Sequence, residues 1–246
     1  MRAEIKKLSE NTKITTNMAQ KKKARTAAQQ NAANVGEAVS RTEQYIENNK
    51  KKLTFIVCAV IVIIAAALLL NTYYIAPRQQ KSLEALVTGE KFFQAGDFQK
   101  ALEGDSYEYD GFDAIIKHFR GTKGANLAKA YAGLSHAQLG QYEEAIPYLK
   151  GFKGKDHMIA PSVLGALGNC YAQQGDNAKA AATLMAAAAK ADNNALSAGY
   201  LVQAGQLFEE LGEPSKALAA YKQVKEKYYQ STQAADIDKY IERLSK

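Results

Sequence analysis

The stretch GNCYAQQGDNAKAA, residues 168–181, decides the fold, because its layout occurs four times in the chain. In each copy a glycine is followed three positions later by an aromatic or similar residue, then four later by a second glycine, then five later by an alanine. The second glycine can take the left-handed backbone conformation that ends a helix. The alanine leaves room for a second helix to pack against the first. The layout predicts four helical hairpins, the other three being GEKFFQAGDFQKAL (residues 89–102), GLSHAQLGQYEEAI (residues 133–146) and GQLFEELGEPSKAL (residues 205–218).

The hairpins recur at a nearly constant interval. Spacings of 44, 35 and 37 residues separate the four turn glycines, which are Gly96, Gly140, Gly175 and Gly212. Over roughly residues 82–230 the chain resembles tetratricopeptide repeats, whose period is about 34 residues. It departs from the family pattern in having no tryptophan. The resemblance implies an all-α fold, a TPR-like solenoid of helical hairpins.

Two segments modify the regular repeat. The longer first interval indicates an insertion within residues 104–124, and its part DSYEYDGF (residues 105–112) is interpreted either as a mobile loop that contacts a partner or as a hydrophobic plug. The stretch of residues 228–244 resembles a closing helix, which a repeat stack needs to cover its last apolar face. The side chains predicted to point inward from this capping helix are Ile237, Tyr240, Ile241 and Leu244.

An uncharged apolar run, LTFIVCAVIVIIAAALLLNTYY (residues 53–74), precedes the repeats. As a helix it is roughly 33 Å long, enough to cross a hydrocarbon core of about 30 Å. A cleavable signal peptide is the alternative, but its apolar region is ordinarily shorter and closer to the start of the chain. We therefore predict a single transmembrane helix over residues 53–75, with anchor residues Leu53, Phe55, Ile61, Leu70, Tyr73 and Tyr74.

Charge is distributed unevenly along the chain and predicts the orientation of this helix. Residues 1–52 contain 12 basic and 5 acidic residues, whereas residues 77–246 contain 20 of each. Basic flanks remain in the cytoplasm, which places the N-terminus inside and the C-terminal domain in the periplasm of a bacterial inner membrane. Because the excess of basic residues lies in the tail and not on the repeats, nucleic acid is not an expected partner. Membrane lipid is an expected partner, because the basic tail lies beside the apolar run.

The predicted organisation has four parts. Residues 1–34 form a disordered basic cytoplasmic tail, and residues 35–52 form an amphipathic juxtamembrane helix. This helix is either a simple extension of the membrane span or a docking surface. Residues 53–75 are the transmembrane helix, and residues 76–246 are the periplasmic TPR-like domain.

The sequence contains no pattern that indicates catalysis. The three histidines, His118, His136 and His157, do not pair at metal-ligand spacing. Cys58 and Cys170 are too far apart in the sequence for a disulfide bond between them to be expected. Phosphate loops and hydrolase motifs are absent from the sequence. We expect a binding protein without catalytic residues, metal or cofactor.

The binding surface is expected on the first helix of each hairpin, which lines the inside of such a stack. Amide groups dominate there and can bind the backbone of an extended peptide with little regard to its sequence. The alternative is ordinary soluble surface. A clamp for a terminal carboxylate is disfavoured, because Ala130 and Gly165 occupy the positions where it would need basic groups. The predicted groove residues are Phe93, Gln94, Leu134, Gln138, Asn169, Gln173, Gln206 and Glu210.

A narrower resemblance covers the whole chain. The tail motif GEAVSRTEQYIENNKKKL (residues 36–53) and the helix pair FDAIIKHFRGTKGANLAKAYAG (residues 112–133) resemble the YfgM family of ancillary Sec translocon subunits. This resemblance implies SecYEG, a PpiD-like membrane chaperone and unfolded client polypeptides as partners. The alternative is a scaffold subunit of another cell-envelope complex, for division or secretion.

Overall fold

The computed structural model describes residues 46–105 and 107–245, and it divides into two units between Leu70 and Asn71. The predicted tail, residues 1–34, and most of the predicted juxtamembrane helix lie outside the described residues. Each unit is described separately below.

The first unit contains helix α1 (Lys50–Leu70), of which no residue is buried. The side chain of Phe55 is 77% exposed and that of Ile61 is 59% exposed, although both are strongly apolar. The helical run Lys50–Gln94 includes one segment that is long and apolar enough to cross a membrane. A core helix of a water-soluble domain would bury such side chains, so the exposure supports the predicted span.

The second unit is built from helices only, within the part of the chain that the structure describes, and this confirms the predicted all-α class. It opens with a π-helical turn (Asn71–Ile75). Ten α-helices follow: α2 (Ala76–Gln94), α3 (Phe98–Glu103), α4 (Gly111–His118), α5 (Lys123–Gln138), α6 (Tyr142–Gly151), α7 (Ile159–Gln173), α8 (Asn177–Ala191), α9 (Ser197–Glu210), α10 (Pro214–Lys227) and α11 (Ile237–Leu244), with a short 3₁₀ turn (Thr232–Ala235) before the last.

The helices pair into the four predicted hairpins. The first consists of α2 against the divided pair α3 and α4, and the others are α5–α6, α7–α8 and α9–α10. Each hydrophobic core cluster joins one hairpin to the next; for example, Ala145 and Leu149 of α6 pack with Ala130 of α5 and Val163 of α7. A stack of this kind buries its apolar surface between neighbouring repeats.

The turn glycine of each hairpin acts as predicted, and the first glycine has a packing role that the sequence did not indicate. The turn glycines have positive φ, from 71° at Gly212 to 80° at Gly96 and Gly175. The first glycine of each layout lies against the second helix instead: Gly168 faces Leu184, and Gly205 faces Tyr221. The packing alanines are fully buried, at 0% exposure, and are Ala101, Ala145, Ala180 and Ala217.

The insertion divides the second helix of the first hairpin into α3 and α4. Asp105 organises the loop between them by accepting hydrogen bonds from three backbone N–H groups, those of Tyr107, Glu108 and Tyr109. The Tyr109 ring is buried and its hydroxyl donates to the Ala101 carbonyl at 2.8 Å. Tyr107 is 94% exposed. The segment is therefore a plug at Tyr109 and an exposed aromatic tip at Tyr107.

Helix α11 closes the stack as the sequence predicts. Ile237 is buried, and Tyr240, Ile241 and Leu244 pack against the core of the last hairpin. On its outer side, Arg243 forms an ion pair with Glu209 at 2.7 Å. The apolar face of the fourth hairpin is thus covered by the chain's own C-terminal segment.

Candidate protein-interaction site

The first helices of the four hairpins contact one another in series. Leu86 of α2 shares a core with Ala128 and Ala132 of α5. Ala130 of α5 shares the next core with Val163 of α7. The ring of Tyr200 on α9 fills the space where a side chain at Gly165 of α7 would be. The four helices therefore form one continuous face of the second unit.

Six of the eight predicted groove residues are exposed polar side chains on this face. They occupy equivalent positions relative to the turn glycines. The row two residues before each turn glycine contains Gln94, Gln138, Gln173 and Glu210. The row six residues before each turn glycine includes Asn169 and Gln206, with Leu134 at the corresponding position of the second hairpin.

The two apolar members, Phe93 and Leu134, are half-buried. The Phe93 ring packs edge-on against Phe98 at 5.3 Å and Tyr131 at 5.2 Å between centroids. Leu134 packs against the core shared by the second and third hairpins. Both side chains thus contribute to the core and offer only part of their surface to a partner.

Acidic groups on the same face are held by neighbouring side chains. Glu90 binds the hydroxyl of Tyr131, and burial together with this bond raises the pKa of Tyr131 to about 12. Glu209 accepts hydrogen bonds from Tyr221 at 2.6 Å and from Arg243. These carboxylates are fixed in position, which leaves the exposed amides as the adaptable hydrogen-bonding groups of the face.

Glu210 has a role that the sequence did not indicate. Its carboxylate accepts a hydrogen bond from the Asn177 side chain at 2.9 Å, which joins α9 to the first turn of α8. The bond is exposed, so the carboxylate keeps open acceptor positions.

Two positions where a terminal-carboxylate clamp would need basic groups leave no room for them. Ala130 is 4% exposed, and the Tyr200 ring occupies the space beside Gly165. A basic side chain at either position would have to displace buried groups.

The reactive side chains are placed apart from one another. His136 stacks on Tyr148 at 5.2 Å and bonds through Nδ1 to Gln141 at 2.7 Å, and Nδ1 of His157 bonds to the Lys190 carbonyl. Cys170 is buried in the core, and burial raises the pKa of its thiol. Among residues 46–105 and 107–245, no three His, Cys, Asp or Glu side chains gather into a group that could hold a metal ion.

A second surface feature, which the sequence did not indicate, is a cationic hollow of about 960 Å³ between the first and third hairpins. Its basic groups come from α4, from the α4–α5 connection, from α5 and from the α6–α7 connection. They are Lys117, Arg120, Lys123, Lys129 and Lys153. Because 36 positions separate the first from the last, no local run of charge indicates the hollow.

Over the described residues, these features define an all-α protein of stacked helical hairpins with one unburied apolar helix. Residues 161–189, which cover most of the third hairpin α7–α8, match the family model of the tetratricopeptide repeat. Tetratricopeptide domains bind protein partners, so the match supports an interaction role. No curated protein matches the chain.

Proposed function

We propose that this chain is a membrane-anchored tetratricopeptide-repeat protein that binds other proteins at the periplasmic face of the bacterial inner membrane. Within that role we propose an accessory subunit of the Sec translocon that assists newly translocated polypeptides. The observation that carries the proposal is the row of exposed amides at equivalent positions of successive first helices. Gln94, Gln138 and Gln173 belong to this row.

Amide side chains suit a client whose sequence varies. Each one offers two N–H donors and a carbonyl acceptor, the same groups that an extended backbone requires. A row of them on rigid helices can bind an unfolded segment through its main chain. The engaged carboxylates of Glu90 and Glu209 give the row a weakly acidic border without a strong local field.

The anchor and the translocon role have separate support. The exposed apolar helix α1 supports a membrane span, and the basic residues before it support an N-terminus in the cytoplasm. The resemblance of residues 36–53 and 112–133 to the YfgM family supports SecYEG and a PpiD-like chaperone as partners. Partner recognition, and not catalysis, is the activity that we assign to the repeats.

A pull-down of the full-length chain from its own membranes in mild detergent tests the proposal. We expect SecYEG, a membrane-anchored chaperone and varied client proteins. One stoichiometric envelope complex without Sec subunits would overturn the translocon role and indicate a scaffold instead.

The amide row is tested by a paired substitution, Gln138→Ala with Gln173→Ala. We expect reduced recovery of client proteins, because backbone hydrogen bonds are lost. The matched control is Gln223→Ala with Gln230→Ala, which changes exposed glutamines on α10 and after it. Equal client recovery from both pairs would place the client site elsewhere.

A further inference from the structure

The cationic hollow has a local excess of positive charge, although the domain as a whole has no net charge. Residues 77–246 contain equal numbers of basic and acidic residues, 20 of each. Folding nevertheless brings five basic side chains to the hollow, and the one acidic residue that lines it is Asp156. A neighbouring hollow on the other side of Phe152 adds Lys150, Lys155 and Lys190. The result is a local cluster of positive charge.

Most of these charges are available to a ligand. Within the described residues, the side chains of Lys117, Arg120, Lys123 and Lys153 form no ion pair or hydrogen bond. Asp156 forms no ion pair with them among the described residues, and its Oδ1 instead accepts hydrogen bonds from the backbone N–H groups that start α7.

The backbone that carries the charges is fixed. The Asn126 side chain donates to the Lys153 carbonyl at 2.8 Å and accepts from the Lys153 N–H at 3.0 Å. Lys190 donates to the Gly154 carbonyl at 2.8 Å. The α6–α7 connection is thereby tied to α5 on one side and to α8 on the other.

The hollow lies at a defined edge of the stack. Because the hairpins are antiparallel, their turn glycines share one edge, and the connections between successive hairpins share the opposite edge. Residues 119–122 and 152–158 are two of those connections. We call the second edge the connection edge.

The start of α2 belongs to the connection edge as well. The Lys123 N–H donates to Oε1 of Gln79 at 2.9 Å, and Arg78 donates to the His118 carbonyl at 2.7 Å. Gln79 follows Leu70, the last residue of α1, by nine positions. Only a short segment of sequence therefore connects this edge to the predicted membrane span.

Two large apolar side chains extend from the same edge. Met158 is 56% exposed and Ile159, which lines the hollow, is 50% exposed. Exposed apolar groups beside lysines are the composition of surfaces that rest on anionic bilayers, where the lysines meet headgroups and the apolar groups enter the interface.

We propose that the connection edge binds the headgroups of anionic phospholipids, with Lys153 and Lys155 at the membrane surface and Met158 inserted in it. This inference rests on the membrane anchor of the proposed function. Lipid is favoured over an acidic protein segment because only nine positions of sequence separate Gln79 of this edge from the end of α1 and because Met158 and Ile159 are exposed beside the charges.

The test uses the full chain, which contains no tryptophan, so that one introduced indole is the only such reporter. Met158→Trp places it on the connection edge. Leu211→Trp places it at 40% native exposure in the turn before Gly212, on the opposite edge. Both variants are reconstituted in vesicles of brominated phosphatidylcholine, alone or with about one quarter phosphatidylglycerol.

We expect the Met158→Trp emission to shift to the blue and to be quenched in the anionic vesicles only, and the Leu211→Trp emission to be unchanged between the two. Adding Lys153→Glu and Lys155→Glu to Met158→Trp should abolish the quenching. The control pair Lys91→Glu and Lys222→Glu changes the charge equally but lies away from the hollow, and it should leave the quenching intact.

Equal emission in neutral and anionic vesicles, or quenching that survives Lys153→Glu with Lys155→Glu, would overturn the proposal; the first result would favour an acidic protein segment as the ligand of the hollow. Failure of the anchor is detected separately, because the chain would then not float with vesicles of neutral lipid. Circular dichroism confirms that each variant keeps its helices.

Discussion

At the scale of single residues, glycine has two different uses in this fold. The turn glycines are surrounded by open space and are needed for their backbone conformation: nothing lies within 4 Å of a side chain added at Gly175 or Gly212. The packing glycines are needed for their small size. A Cβ at Gly205 would lie 2.6 Å from Cζ of Tyr221, a ring that is fully buried.

We therefore expect Gly205→Ala to lower the free energy of unfolding by about 1–3 kcal/mol, since a buried ring must move to accept the methyl group. Urea denaturation of the full chain in detergent, followed by circular dichroism, measures this change.

Helix α9 contains its own control. Gly199 has only the side chain of Gln233 within reach of an added Cβ, at 3.7 Å. Gly199→Ala should raise the stability by about 0.5–1 kcal/mol, because alanine favours the helix. Similar effects of the two substitutions would contradict the packing role of Gly205.

At the scale of elements, the start of the second helix differs between hairpins that look alike in sequence. Asp97 and Asp176 both follow a turn glycine and precede a second helix. Asp176 accepts a hydrogen bond from the Lys179 N–H at 3.1 Å, whereas Asp97 accepts none from a helix N–H of α3 and pairs only with the Lys100 side chain, at 2.9 Å. A capping carboxylate satisfies a helix N–H that otherwise has no partner.

Asp176→Ala should therefore lower the midpoint of thermal unfolding more than Asp97→Ala does. The side chain of Lys179, followed by the backbone N–H, lowers the pKa of Asp176. A carboxyl with a lowered folded-state pKa stabilises the protein above its unfolded pKa of about 3.9 and loses this effect as the pH falls through the folded value.

The difference in midpoint between the wild-type chain and Asp176→Ala should accordingly be present at pH 7 and shrink below about pH 4. Thermal scans across this range measure it. A difference that stayed constant with pH would show that the carboxylate's charge contributes nothing to the cap.

At the scale of the whole molecule, the anchor is expected to depend on the uncharged part of α1, residues 53–70, which follows the three lysines at the start of the helix. Ile61 lies near the middle of this helix and is 59% exposed. Ile61→Arg adds a charge where insertion costs about 3 kcal/mol. We expect most of the variant to leave the membrane fraction on an alkaline wash, while Ile61→Leu remains. Equal retention of both would contradict a span at this position.

The hairpin stack could be predicted from the sequence because its determinants are local. A turn glycine and a packing alanine separated by five positions act within one hairpin, so their spacing can be read directly from the sequence. Ala101, Ala145, Ala180 and Ala217 are accordingly all buried as expected.

The surfaces of the stack could be predicted less well, because they depend on contacts between hairpins. Counting from a turn glycine gives the direction of Phe93 but not the Tyr131 ring that packs against it. The cationic hollow combines Lys117 with Lys153, which are far apart in the sequence. The equal numbers of basic and acidic residues over residues 77–246 give no indication of it. The break between α3 and α4 likewise depends on Tyr109 reaching the Ala101 carbonyl.

The burial of Cys170 has a practical consequence for kinetics. The residue is 1% exposed within the core formed by the second and third hairpins, so a thiol reagent can reach its sulfur only while those hairpins are separated. In a Cys58→Ser background, the rate of labelling would then measure how often neighbouring hairpins open locally. A client that bridges neighbouring hairpins should slow this reaction. The labelling rate of the native Cys170 thiol would therefore report client binding.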